Sequence, residues 1–353
     1  MADPRIEKFA KTICKSLDIV EDDIVLITGT EVSANLILEL QKEILKRSAY
    51  PLIRISLEQM RYNFYKYAHE KHLTQFPPGL AKEIEIATKV ISIESATNPN
   101  QINKIDQNRI NQWKQTAGPY YRKLDFVPTV VSIFPNLRYA DQAGMNLEEY
   151  EKLFYDAVSI DLEKLYEDYH PIEEMLSNGN HFEIKTSNTN LVFDLGDRNF
   201  TLHSLLINFP DGEIFCSPIE SSVNGYIRFE QPQSYSGKIF QNLAIEFRNG
   251  EVTQVCSETN MDALQKLLKT DSGAKRLGEF GFGINPALKN LTNDILFDEK
   301  VTGTIHIALG DAYVEVGGTN RSLIHFDMVK DMRGDGVILV DGRVVYRDGK
   351  FVI

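Results

Sequence analysis

Cysteine is scarce in this chain. Cys14, Cys216 and Cys256 stand at no metal-ligand spacing, and their odd number argues against a disulfide framework. A reducing, cytoplasmic setting is therefore expected. No run approaches 18 apolar residues, so nothing reads as a membrane span. The opening stretch MADPRIEKFAKTICKSLDIVEDD is charged throughout and lacks the apolar core and cleavage site of a secretory signal. Positive charge is also in short supply. The 38 Lys and Arg set against 50 Asp and Glu leave a formal net charge of −12, which no basic run or interleaved aromatic patch offsets, so nucleic acid is not an expected partner. The first strand-to-helix turn, TGTEVSANL, has neither GxGxxG nor a Walker lysine, and reads as a plain helix start with Glu31 and Ser33 near the macrodipole.

What is present suggests two domains, because 353 residues at 42% hydrophobic exceed one ordinary core. In the first half, DIVLIT (23–28), PLIRI (51–55), KVISI (89–93) and PTVVSIF (128–134) read as strands. Helical stretches between them are expected at Glu31 to Arg47, Leu57 to Lys71 and Asn103 to Ala117, with an acidic helix from Asn146 to Asp156. Strands alternating with helices imply parallel pairing. Beyond about residue 180, short alternating runs such as HFEIKTSN, LVFDLGDR, LAIEFRNGEV and GVILVDGRVVY are broken by Gly, Asn and Asp turns, which is antiparallel β. RNGEV and VDGRV carry the dipeptides that type I′ hairpins favour, and NMDALQKLLK is the one clear helix, with Asn260 or Asp262 as its cap. The expected fold is an α/β domain with a mostly parallel sheet over 1–170, followed by an α+β domain rich in antiparallel strands over 171–353.

Five residues of the second domain, Glu220, Glu279, His306, His325 and Asp327, stand alone among apolar or small neighbours in PIESSVNG, RLGEFGFG, TIHIALGDAY and SLIHFDMV. Carboxylates and imidazoles so placed are costly unless paired or bound to a metal. Strand periodicity puts His325 and Asp327 on one face and Ile324, Phe326 and Met328 on the other, which makes half of a metal site. A core histidine beside a surface aspartate would give the same pattern. His306 fits a hydrogen-bonded core histidine as well as a ligand, and Glu220 fits a solvated loop. The glycines around Glu279 suit either a mobile loop or close approach to something bound. Glu299 lies in a charge cluster, DEK, that reads most simply as surface.

The segments QAGMNLEEYEKLFYDAVSID, NFPDGEIFCSPIESSVNG, SGAKRLGEFGFGINP, DEKVTGTIHIALGDAYVEVGGTNRS and IHFDM resemble the thermophilic-type metallo-aminopeptidases (aminopeptidase T, aminopeptidase S and PepS). The resemblance runs the length of the chain and is most specific from about 205 to 335. It implies a cytoplasmic, homodimeric exopeptidase that acts on peptides with a free N-terminus, with no membrane attachment. It also implies two divalent ions per subunit, of Zn, Co, Mn or Mg. Carried over motif by motif, the metal ligands would be Glu220, Glu279, His306, His325 and Asp327, with Glu279 favoured as the bridge, and the catalytic residues would be Glu299 and Tyr313. Two other readings stay open. A phosphoesterase or amidohydrolase could use the same ligands, although only Arg276 and Arg321 lie near the motifs to meet phosphate. A non-catalytic metal-binding protein is the other, although structural zinc sites are typically closed and cysteine-rich.

Overall fold

The computed structural model describes residues 3–94, 105–203 and 206–352, except for the side chain of Asp125. The first strands are β1 (Ile24–Thr30), β2 (Tyr50–Ser56), β3 (Lys89–Glu94) and β4 (Thr129–Ile133). After the pair β5 (His181–Thr186) and β6 (Thr189–Asp194), the chain adds β7 (Leu206–Phe209) to the same sheet, in the order β2-β1-β3-β4-β7. All four pairings in it are parallel. Val25, Leu26 and Ile27 of β1 are buried, as expected of an inner parallel strand that reads as a continuous apolar run, whereas the edge strand β2 is largely open.

The expected helices are present with shifted ends. A 3-10 turn, Glu31–Ser33, leads into the helix Ala34–Leu45, and two short helices, Met60–Tyr67 and Glu70–Thr74, occupy the second helical stretch. The third runs from Gln107 to Tyr121 behind the Asp106 cap, and the start of its expected span, 103 and 104, lies outside the described residues. The helices Pro4–Ser16, Pro78–Ile86 and Leu162–Ser177 are additional to those read from the sequence.

Two compact units result. One comprises residues 1–141, 146–159 and 205–209, and the other 142–145, 160–204 and 210–353. The helix Leu162–Ser177 belongs to the second unit, where Leu165, Ile172 and Leu176 join its core.

That second unit continues with β8 (Glu213–Cys216), β9 (Asn224–Arg228), β10 (Gln233–Tyr235), β11 (Lys238–Phe240), β12 (Ala244–Arg248) and β13 (Glu251–Cys256). Then come β14 (Leu277–Gly283), β15 (Thr304–Gly310), β16 (His325–Asp331), β17 (Val337–Val340), β18 (Arg343–Arg347) and β19 (Lys350–Phe351). An eight-stranded antiparallel sheet has the order β13-β12-β9-β6-β5-β17-β18-β19, and a four-stranded one the order β16-β15-β14-β8. Both tight turns read from the sequence are present, with Asn249–Gly250 joining β12 to β13 and Asp341–Gly342 joining β17 to β18. All four residues have positive φ, the geometry of a type I′ turn. The helix Met261–Leu267 starts at Asn260, but that residue is left-handed and its side chain donates to the carbonyl of Ile239 instead of capping.

One core fills the second unit. Phe182, Ile184, Leu191 and Phe193 of the large sheet meet Phe280, Phe282, Ile305, Ile307, Phe326 and Met328 of the small one. One face of the small sheet is thereby committed to the core. Period-two alternation sends the intervening residues to its other face.

Candidate metal centre

That other face carries Glu213 on β8, Glu279 on β14, His306 on β15, and His325 with Asp327 on β16. The alternation in β16 is the one read from the sequence, with Phe326 and Met328 fully buried and His325 and Asp327 half-buried. On β14 the register slips between Leu277 and Glu279. Leu277 is in the core, as are Phe280 and Phe282. The extra residue, Gly278, switches the parity of the strand and turns Glu279 to the site face. A Cβ at Gly278 would lie 2.4 Å from the carbonyl oxygen of Asp311, so only glycine fits the bulge.

Gly281 does a related job. It is paired in register with Phe215 on one side and His306 on the other, and a Cβ there would lie 2.3 Å from Cε1 of His306. The imidazole therefore lies across a glycine. The dense glycines of this strand make room for the protein's own ring and carbonyls, and they belong to a fully buried strand, not a mobile loop.

Two groups of potential ligands result, Glu213–Glu279–His306 and Glu279–His325–Asp327, each with its donor atoms within 4.8 Å of one another. Glu279 is common to both and divides its oxygens between them. Oε1 lies 3.3 Å from Nε2 of His306, and Oε2 lies 3.1 Å from Nε2 of His325. His306 Nε2 is also 3.4 Å from Oε2 of Glu213, and His325 Nε2 is 3.2 Å from Oδ1 of Asp327. Oε2 of Glu213 and Oδ1 of Asp327 are buried with no hydrogen-bond partner among the described residues. Leaving a buried carboxylate oxygen without a donor is costly, and a divalent ion in each group would satisfy both. Oxygen and imidazole donors without a thiolate fit such ions, so the residues present suit a binuclear centre.

The charges are mutually dependent. Burial alone would raise Glu279, but the imidazoles of His306 and His325 outweigh it and hold the carboxyl well below its usual range. Burial alone would lower His306, but Glu279, Glu213 and Glu299 carry it up to about 9. Burial pushes Glu299 up, opposed by Lys300 and reinforced by Glu213 and Asp327.

The structure does not bring Glu220, expected as a ligand, into either group. Its Oε2 accepts from Arg198 at 2.8 Å, and its Oε1 accepts from the Thr319 backbone N–H at 2.9 Å and from the Thr319 hydroxyl and Asn320 backbone N–H at 3.0 Å. Those bonds hold its carboxyl down at about 2 against burial. The glutamate in the first group is Glu213, seven residues earlier. Sequence reading missed it because it directly follows the Asp211–Gly212 turn and reads as part of that turn. The apolar run Ile214, Phe215, Cys216 directly after it was the available signal of a strand start.

Lys300 was also missed. The DEK run looks like solvated surface, yet its Asp298 ends the short helix Ile295–Asp298, and Glu299 and Lys300 are buried. Lys300 Nζ lies 2.6 Å from Glu213 and 2.7 Å from Glu299. Tyr313 follows β15, half-buried, with its ring centroid 5.3 Å from that of His325 and 5.2 Å from that of Phe215.

Glu220 instead anchors the segment that follows Tyr313. Replacing it by glutamine removes the charged pair with Arg198 and loosens that segment, so stability should fall by about 1–3 kcal/mol with metal content unchanged. Metal analysis beside thermal unfolding checks this; loss of bound metal would place Glu220 among the ligands.

Taken together, fold and site define a two-unit protein, one α/β and one rich in antiparallel β, whose small sheet presents a centre for two ions sharing one carboxylate. The chain belongs to the family described as thermophilic metalloprotease (M29), which it matches over residues 2–351. It is 30% identical to aminopeptidase AmpS of Bacillus subtilis (strain 168) over 198 residues, 50% of this chain and 48% of that protein. With aminopeptidase 2 of Geobacillus stearothermophilus it shares 35% identity over 161 residues, 40% of this chain and 37% of that one. The matched span is thus less than half the length of these curated relatives. Among solved structures, wild-type AmpT from Thermus thermophilus superposes with a TM-score of 0.83 at 21% identity, covering 99% of both chains. A 2,5-dihydroxypyridine dioxygenase from Pseudomonas putida KT2440 also superposes, with a TM-score of 0.62 at 14% identity, covering 98% of this chain and 96% of that one. The fold is therefore common to a protein named for quite different chemistry, and the reaction has to be argued from the site. Among the described residues no helix is long and apolar enough to cross a membrane, and all three cysteines are free.

Proposed function

We propose that this protein is a metal-dependent aminopeptidase that releases N-terminal residues from peptides. The observation that carries the reading is the pair of histidine–carboxylate groups joined through Glu279, in a chain of a metalloprotease family. Glu213, Glu279 and His306 would hold one ion, and Glu279, His325 and Asp327 the other, with Zn²⁺, Co²⁺ or Mn²⁺ preferred and Mg²⁺ tolerated. Bound there, the ions would supply a water activated near neutral pH and would polarise the scissile carbonyl.

The remaining work falls to side chains. Glu299 takes the proton from the attacking water and returns it to the departing amine, a role suited by a carboxyl raised towards neutrality. The Tyr313 hydroxyl donates to the oxygen that gains charge as the carbonyl is attacked. Tyr313→Phe should then lower kcat about 10²-fold; an unchanged kcat leaves the ring with a packing role only. A reducing cytoplasm, which the free thiols suit, and a homodimer, testable by sedimentation, complete the reading.

Metal dependence is the direct test. Stripping the protein with a chelator should abolish hydrolysis of aminoacyl-p-nitroanilides and dipeptides, and one or more of Zn²⁺, Co²⁺, Mn²⁺ and Mg²⁺, added back separately, should restore it. No hydrolysis with any ion on any peptide sinks the proposal.

A further inference from the structure

We propose that Lys300 is a built-in cation that makes the two metal positions unequal, weakening the one formed by Glu213, Glu279 and His306 and sparing the one formed by Glu279, His325 and Asp327. The inference rests on the two-ion reading above and adds to it an order of loading. Lys300 is wholly buried, and its Nζ sits between Oε1 of Glu213 at 2.6 Å and Oε1 of Glu299 at 2.7 Å. Glu213 therefore has one oxygen bonded to an ammonium, and only Oε2, 3.4 Å from His306 Nε2, is turned to the site.

A divalent ion arriving at Glu213 meets a carboxylate already neutralised from behind. Because the ammonium is buried, salt and water screen it little, and its repulsion reaches the incoming ion. The other position has no such neighbour. Among the described residues, the ion-pair partners of His325 are Glu279 and Asp327, and neither Asp327 nor His325 pairs with a lysine or arginine. Lys300 also orients Glu213 through its bond, so a weaker step that loosened on removing the lysine would overturn the proposal. The fold gains a way to bury Glu213 and Glu299 side by side before any ion arrives, each with an oxygen on the Lys300 ammonium. The consequence is one firmly held ion and one that exchanges.

Titrating the metal-stripped full chain with Co²⁺, by calorimetry and by the visible absorption of the bound ion, tests this. Wild type should bind in two steps separated by about tenfold or more. Lys300→Met should tighten the weaker step about tenfold or more, as expected from removing a buried unit charge beside a ligand, and leave the tighter step unchanged. Glu299→Gln, which keeps the lysine and gives it to Glu213 alone, should weaken the weaker step further; it supplies the answer if Lys300→Met does not fold. Two equal steps in wild type, or a weaker step that neither substitution moves, overturns the proposal. A peptide assay on the wild-type sample separates the two readings: ordered two-step binding without hydrolysis refutes the aminopeptidase and leaves the role of Lys300 standing.

Discussion

Replacing Glu279 by glutamine should reduce kcat/KM by about 10³-fold or more, on the order of 4 kcal/mol of transition-state stabilisation. The argument is geometric. One oxygen of Glu279 faces His306 and the other faces His325, so a single carboxylate serves both ligand groups. An amide offers one oxygen and one N–H₂. Whichever way it is turned, a donor points at one of the two positions, and the negative charge that both share is gone. Bound metal should fall below two equivalents, while the core face of the same strand, Phe280 and Phe282, keeps the fold intact. Metal analysis, circular dichroism and kinetics on the same sample decide it. Two retained equivalents with full activity would show that Glu279 is not shared.

Gly281→Ala should be nearly as damaging, although it touches no charge. The added methyl would lie 2.3 Å from Cε1 and 2.4 Å from Nε2 of His306, distances real Cβ atoms do not adopt. His306 is only 1% exposed and Gly281 is paired on both sides, so neither ring nor strand can yield without disturbing the ligands. Misplacing His306 should lower kcat by about 10²-fold, and overpacking should destabilise the protein by about 1–3 kcal/mol. Gly79→Ala is the control, since nothing lies within 4 Å of a Cβ there. If Gly281→Ala keeps wild-type activity, the ring is not held as described.

Much of this was legible in the sequence. The strand runs of the first unit and the Asn-Gly and Asp-Gly hairpins of the second have local signatures, because β-branched runs and positive-φ dipeptides act within a few residues. His325 and Asp327 were legible for the same reason, as alternation within one strand. Glu213 and Lys300 were not. Glu213 becomes a site residue only when β8 pairs with β14 much later in the chain, by the register Phe282 to Ile214. Lys300 reads as surface until the short helix before it turns the DEK run inward. Glu220 is the converse case, since an isolated glutamate among small residues looks the same in sequence whether a metal or Arg198 meets it. Likewise β7 joins the first sheet from far along the chain, through pairing with β4 that no local pattern encodes.

The most direct test of the central claim compares a peptide bearing a free N-terminus with its N-acetylated twin, using metal-stripped and Co²⁺- or Zn²⁺-reconstituted protein, with products identified by mass spectrometry. The account predicts stepwise loss of N-terminal residues from the free peptide only, and only after metal is restored. Cleavage that survives exhaustive chelation, or equal cleavage of the acetylated peptide at internal bonds, would contradict it.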